Sequence, residues 1–244
     1  MCANYIPVTR NDLLLAHFGV QRDVKTELPT ELLPQGMGSF IRLVNGQREF
    51  EAGVFGLLPA WRRELKHGRY TYNARCETVS TVASFKESWK RGLRCVIPAE
   101  AVFEEKYHED HTHERWRIEN EDGSPMGIAG VYSQWVEGGV EKFSYAMLTV
   151  NCDAHPFYSQ FHEPGHEKRM PIFLAPGDYD EWMSCPLAQA SRFFEMWAGP
   201  LVGNPAARPK VERARRREGE QSQAKPAKTP KRPPPEPPQQ FGLF

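Results

Sequence analysis

The chain has 244 residues, with 31 basic and 31 acidic side chains. Bulk charge therefore names no partner, and the length allows one good-sized core or two small ones. Its five cysteines (Cys2, Cys76, Cys95, Cys152, Cys185) are odd in number and widely spaced, which argues against a disulfide framework, and no CxxC or Cys/His spacing points to zinc or another metal. There is no basic-then-apolar leader and no apolar run near the ~18 residues of a membrane span. The expectation is a soluble cytoplasmic protein with reduced thiols, no membrane contact and no cofactor.

In chain order, Asn11–Phe18 has helical spacing with Asn11 as its N-cap. Ser39–Val44 and Gly53–Leu57 read as short strands. Thr81–Arg91 reads as an amphipathic helix, with Phe85 and Trp89 four apart on one face. Arg94–Ile97 and Ala101–Glu104 read as two strands around Pro98. Glu114–Ile118, Met126–Gln134, Lys142–Val150 and Pro171–Leu174 follow as strands, and Asp178–Ser184 and Ala190–Trp197 as short helices. Many short strands with few helices predict an α+β fold on antiparallel sheet.

The chain from Asn204 onward differs. It carries ten Lys/Arg against four acidic residues, leaving the remainder acidic by six, and nine of the last forty residues are proline. Such a segment buries too little apolar surface to offset its ordering entropy and is expected to be a disordered tether. The expected organisation is a folded domain over 1–203, a tether over 204–238 and an apolar tip over 239–244.

Residue 2 is the first chemical signal. Methionine aminopeptidases remove Met1 before a small second residue, and Cys2 would then carry a free α-amine beside its thiol. The amine titrates at about 7.7–8.0, so a useful fraction is nucleophilic at neutral pH. Asn73-Ala74-Arg75-Cys76-Glu77 crowds an amide, a guanidinium and a carboxylate into five residues, as a surface ion pair or a built site would. Glu104 closes an apolar stretch, where burial would raise its pKa toward that of a general acid; an exposed strand-end Glu has the same sequence. His162 and His166 lie in a turn-rich loop feeding a strand. His108, His111 and His113 read as a solvated hairpin tip. Trp61 beside Arg62 and Arg63 suits single-stranded nucleic acid and equally an ordinary strand exit.

Taken together these segments resemble the SOS response-associated peptidase (SRAP) family, whose pattern runs Met-Cys-Gly-Arg-Tyr, Trp-Gly-Leu-Ile-Pro-x-Trp, Asn-Ala-Arg-x-Glu-Thr, Arg-Cys-Leu-Ile-Pro-Ala-x-Gly-Phe-Tyr-Glu-Trp and His-x-Arg-Met-Pro. They stand in the same order here as Met1–Tyr5, Phe55–Trp61, Asn73–Thr78, Arg94–Glu105 and His162–Pro171. The resemblance covers about residues 1–200 and implies a compact α+β domain around an antiparallel, barrel-like sheet.

It also implies covalent capture of abasic sites in single-stranded DNA as a thiazolidine crosslink through Cys2. Asn73 would orient the amine and thiol, Glu104 would act as general acid/base, and a histidine would assist proton transfer. Arg75, with Arg62 and Arg169, would hold phosphates, and Trp61 would splay the strand. Ala3 and Asn4 replace the usual Gly-Arg, Phe55 replaces a Trp and Glu105 another. The loop before Arg169 is longer than usual, so both His162 and His166 are candidates, with His162 favoured because it follows Phe161.

A Cys2-dependent peptidase or amidase, and a non-catalytic DNA-binding adaptor, stay open as alternatives. Gln240-Phe241-Gly242-Leu243-Phe244 resembles the bacterial sliding-clamp pentapeptide, with Gln240 as polar anchor and Leu243 and Phe244 filling an apolar pocket. On a flexible tether it would concentrate a monomeric, nucleoid-associated domain at replication sites.

Overall fold

The computed structural model describes residues 3–23 and 27–207. Five strands close into a ring: β2 (Met37–Val44), β3 (Gln47–Phe55), β5 (Arg94–Tyr107), β7 (Met126–Glu137) and β8 (Val140–Asn151). Each pairs with the next in the order β5, β7, β8, β3, β2, and the Ile41↔Val96 bridge returns β2 to β5. The expected barrel-like sheet is thus present, and it is mixed: β3 runs parallel to β8, as does the short β4 (Asn73–Arg75). Closure leaves these five strands few free edges.

The interior is filled by aromatic rings. Phe40 packs on Tyr132, Phe143 and Tyr145, and Phe55 packs on Tyr145 and edge-on to Tyr5. Such pairs contribute about 0.5–1.5 kcal/mol each beyond their burial. Two hydroxyls inside this apolar cluster need a partner and find each other, Tyr5 and Tyr145 sharing a hydrogen bond of 2.5 Å. At the end of β3, Gly56 has φ +121°, and a Cβ there would meet the Gly68 backbone at 2.3 Å. Only glycine allows that approach, which seats the 3-10 segment Leu65–Tyr70 against the barrel rim.

Helix α1 (Asn11–Phe18) buries Leu14 and Phe18 and ends on Gly19 in the left-handed region. Its N-cap is Arg10 rather than Asn11. The Asn11 side chain instead brackets the Arg22 backbone, accepting from its N–H at 2.9 Å and donating to its carbonyl at 3.3 Å. Helix α2 is only Lys86–Lys90. The preceding residues turn, with the Thr81 hydroxyl on the Thr78 carbonyl at 3.1 Å, an alternative that Thr offers the backbone in place of helix. Phe85 and Trp89 are nevertheless both buried.

The two strands expected around Pro98 are one. β5 runs unbroken for 14 residues, because Pro98 falls where a missing N–H is tolerated. Its neighbour changes there from β2, paired at Val96, to β1 (Asn4–Pro7), paired from Ala99 to Phe103. The strand expected over Pro171–Leu174 is conversely two, β9 (Arg169–Pro171) on β8 and β10 (Phe173–Leu174) on β7. Ile172 makes the switch, donating to Leu148 and accepting from Ala129.

The α-helix α3 (Tyr179–Ser184) follows a 3-10 turn at Pro176–Asp178. It is tied to β5 by the Trp182 indole on the Cys95 carbonyl at 2.8 Å and by Arg94 on the carbonyls of Trp182 and Cys185. A buried cation at a helix C-terminus suits the dipole. The helix expected over Ala190–Trp197 is instead a 3-10 segment, Leu187–Phe193, closed by i to i+3 bonds. β6 (His113–Asn120) pairs with the outer half of β5, and β11 (Leu201–Pro205), unforeseen in the sequence, pairs with β6 and carries the folded chain past residue 203. Among the described residues no helix is long and apolar enough to cross a membrane.

Candidate active site

Beyond Pro98, β5 projects from the barrel between β1 and β6, and this extension carries the site. Register places Asn4 opposite Phe103, Trp116 opposite Glu104 and Arg115 opposite Glu105. Glu104 is only 3% exposed. Its Oε2 lies 3.3 Å from Nδ1 of His162, which is also buried. The other ring nitrogen of His162, Nε2, donates to the Arg169 carbonyl at 2.6 Å. That bond fixes the neutral tautomer and turns the lone pair of Nδ1 toward the carboxyl.

Burial pushes the Glu104 carboxyl up to about 8 and the His162 imidazole down to about 4. Both shifts oppose charge, because a low-dielectric environment penalises the ionised form of each group. The geometry alone would pass for an ion pair. Burial instead favours the neutral form of each group, a carboxylic acid and an imidazole 3.3 Å apart.

His162 is held there under strain. Its φ is +67°, a conformation of order 1–3 kcal/mol above the common regions for a side-chain-bearing residue. Its N–H donates to the Glu105 carbonyl at 2.8 Å. The Lys168 ammonium donates to the carbonyls of His162 and Glu163 at 2.7 and 3.1 Å, closing the loop on itself. His166 lies on the same loop but is exposed, 3.6 Å from the Glu163 carboxylate. The structure therefore separates the two candidate histidines, and only His162 meets Glu104.

β4 supplies the next wall. Asn73 and Arg75 are two residues apart and so share one face of the strand, opposite Met147 and Thr149. Arg75 pairs with Glu167 at 2.7 Å. Arg169, expected to hold a phosphate, has a side chain only 2% exposed. Its guanidinium is committed to the protein, donating to Glu77 at 3.2 and 2.8 Å, to Glu167 at 2.5 Å and to the hydroxyl and carbonyl of Thr149. These bonds tie down the strand whose carbonyl receives the His162 Nε2–H.

A cavity of about 340 Å³ has Ala3, Asn4, Arg75, Glu104, Arg115 and His162 on its walls, and Asn73 is not among its lining residues. Ala3 puts the residue after Cys2 at this cavity; Cys2 itself lies outside the described residues, as do Gln240, Leu243 and Phe244. Trp61 and Arg62 are exposed on the loop after β3 and are not on the cavity wall. Trp61 is 60% exposed and leans edge-on against His67. Arg63 beside them turns inward onto the Trp135 ring.

Arg115 and Glu31 were invisible in the sequence. Arg115 lies over the Phe103 ring and pairs with Glu31 at 2.5 Å, and Asn4 donates to the same Glu31 oxygen at 2.7 Å. The partners are 84 residues apart, and no local pattern joins them. Two other thiols are poor competitors as nucleophiles. Cys76 and Cys152 are buried, and burial pushes them up to about 11 and about 12, which leaves little thiolate at neutral pH. Among the described residues no group of three or more His, Cys, Asp and Glu is placed to hold a metal ion.

Comparison with known proteins places the chain in a family and a fold. A family model described as SOS response associated peptidase (SRAP) matches residues 1–206. "Abasic site processing protein YoaM" of Bacillus subtilis is 28% identical over 131 residues, 53% of this chain and 54% of that protein. "Abasic site processing protein YoqW" of the same organism is 29% identical over 132 residues, 53% of this chain and 55% of that protein. The chain thus spans about half the length of the curated relatives it matches. A crystal structure of a Bordetella bronchiseptica protein is 30% identical with a TM-score of 0.76, covering 84% of this chain and 100% of that one. One from Bacteroides thetaiotaomicron, at 21% identity, shares the fold with a TM-score of 0.71, covering 84% of this chain and 92% of that one.

Proposed function

The chain belongs to the SOS response-associated peptidase family, and from that membership we propose that it captures abasic sites in single-stranded DNA by a covalent crosslink to Cys2. The observation that carries the proposal is the buried Glu104–His162 pair facing a cavity whose wall includes Ala3. Relatives named abasic site processing proteins support it.

The chemistry follows from the proton inventory. A closed abasic sugar is a hemiacetal, and opening it needs a proton at the ring oxygen and loss of one from the anomeric hydroxyl. Glu104, neutral at pH 7, is the acid, and His162 Nδ1 is the acceptor that returns the proton to it. The aldehyde then condenses with the Cys2 α-amine, releasing one water and forming a Schiff base. The Cys2 thiol adds across that C=N bond: the S–C bond forms, the thiol proton ends on nitrogen, and a thiazolidine results with no change of oxidation state. Asn73, on the β4 face shared with Arg75, orients the amine and thiol. Arg75 holds a phosphate, while Trp61 and Arg62 engage the strand outside the cavity by stacking and charge.

The direct test mixes the purified full chain with single-stranded DNA carrying one abasic site and resolves the products on a denaturing gel after heating. A shifted band with wild type and none with Cys2→Ala is expected. No band with wild type, or an equal band with Cys2→Ala, refutes the proposal. Turnover of peptides without DNA capture would instead assign Cys2 to a hydrolase. Clamp binding through Gln240, Leu243 and Phe244 belongs to the same proposal and rests on the sequence of the tip.

A further inference from the structure

The three arginines at the cavity already hold carboxylates. Arg115 has Glu31, Arg169 has Glu77, and Arg75, whose side chain is half exposed, has Glu167. The last pair differs from the others. Glu167 is one-third exposed and lies on the long loop between His162 and Arg169, not on a strand. Its carboxylate receives Arg75 Nη1 at 2.7 Å on one oxygen. On the other it receives Arg169 Nη1 at 2.5 Å and Asn151 Nδ2 at 3.3 Å. Donors from β4 and β8 thus converge on one oxyanion, which here is the chain's own side chain.

We propose that Glu167 occupies the place of a DNA phosphate, and that an incoming strand displaces it to reach Arg75 and Asn151. The inference rests on the DNA-capture reading above. It deepens that reading by naming a phosphate subsite and the residue that sets how strongly the site holds DNA. Three facts support displacement over permanent bracing. Arg169 keeps a two-point contact with Glu77 when Glu167 leaves. Asn151 keeps Asp153 at 2.9 Å, so neither is left buried without a partner. Arg75 faces the cavity and takes two or more phosphate oxygens better than one carboxylate oxygen, because a guanidinium presents parallel N–H groups.

The consequence is a competition. Every DNA-binding event must first break the exposed Arg75–Glu167 pair, and such pairs contribute only about 0.2–1 kcal/mol; Arg169, which also loses Glu167, keeps Glu77. Removing the competing carboxylate therefore strengthens binding by about twofold to fivefold.

The test uses a fluorescent single-stranded oligonucleotide without an abasic site, so that non-covalent binding alone is read, across a salt series. Glu167→Gln is expected to bind about twofold to fivefold tighter than wild type, with a steeper salt dependence. Arg75→Gln is expected to bind more weakly, and adding Glu167→Gln to it is expected to change nothing further. Glu167→Asp, one methylene shorter, keeps charge beside Arg169 while withdrawing it from Arg75. It carries the same expectation should Glu167→Gln melt abnormally.

Equal or weaker binding by both Glu167 variants overturns the proposal. So does an equal gain in the Arg75→Gln background, since that would reflect only the loss of a negative charge near DNA. Failure of the wild type to crosslink abasic DNA would instead refute the capture reading itself. With that crosslink present, the oligonucleotide result bears on Glu167 alone.

Discussion

Oε2 of Glu104 and Nδ1 of His162 lie 3.3 Å apart in a buried setting, and the Arg169 carbonyl determines which ring nitrogen of the neutral imidazole faces the carboxyl. Nε2 of His162 donates to that carbonyl, so Nδ1 is the acceptor in the neutral ring and the carboxyl is the donor. Burial keeps the carboxyl protonated as the general acid of the proposed reaction, and a backbone carbonyl on β9 orients the ring beside it.

Folding moves one proton from the imidazole to the carboxyl, and stability should record it. In the unfolded chain Glu104 titrates near 4.5 and His162 near 6.5; folded, they titrate near 8 and near 4. Between pH 4.5 and 6.5 both states hold one proton on the pair, so the pair adds no slope. From 6.5 to 8 the folded state holds the extra proton, and stability should fall with rising pH by up to about 1.4 kcal/mol per unit. Below 4.5, toward 4, the unfolded state holds the extra proton and stability should fall as pH drops. Urea unfolding of Glu104→Gln should lose the decline between pH 6.5 and 8; the same decline in that variant would contradict the assignment.

Crosslinking should have a bell-shaped pH profile. Its acid limb follows the Cys2 amine, at about 7.7–8.0, and its alkaline limb follows loss of the Glu104 proton near 8. Glu104→Gln should slow capture by about 10²–10⁴-fold and remove the alkaline limb, read as initial rates of band formation across pH 6–10.

The two histidines should differ sharply. His162→Gln should lose about 10²-fold or more in rate, whereas His166→Ala, altering an exposed ring paired only with Glu163, should stay within about twofold. Equal losses would mean that the loop rearranges when DNA binds.

Arg169→Met should destabilise the fold. Breaking a buried ion pair typically costs about 3–5 kcal/mol, and the lower end applies because Glu77 is half exposed and can turn to water. A lowered thermal midpoint with weakened crosslinking is expected; normal stability with lost DNA affinity would restore Arg169 as a phosphate contact.

Deletion of Gln240–Phe244 should abolish co-elution with the sliding clamp while leaving crosslinking unchanged. Retained co-elution would discard the clamp peptide.

Several of these relationships were legible in the sequence and others were not, for physical reasons. Glu104 closes an apolar run, a pattern an exposed strand-end Glu shares, so its role comes from the family resemblance; its burial follows from β1 and β6 flanking the same half of β5. Pro98 misled because a proline ordinarily ends a strand, and its tolerance depends on a change of neighbours that only the closed sheet defines. Thr81–Arg91 had helical periodicity, yet its first half obeys the Thr78 turn. Arg169 looked like a phosphate ligand because a basic residue beside Met-Pro gives no hint of Glu77 92 residues away. His162 is favoured over His166 in the sequence because it follows an apolar residue, Phe161, which is fully buried here.

The central claim is that a terminal amine–thiol pair captures the sugar aldehyde, and the most direct test is peptide mass spectrometry of the crosslinked product after nuclease digestion. The account predicts an N-terminal peptide that lacks Met1, begins at Cys2, carries the deoxyribose remnant with net loss of one water, and has no alkylatable thiol at Cys2. An N-terminal peptide that retains Met1, or a remnant attached to any other residue, would contradict it.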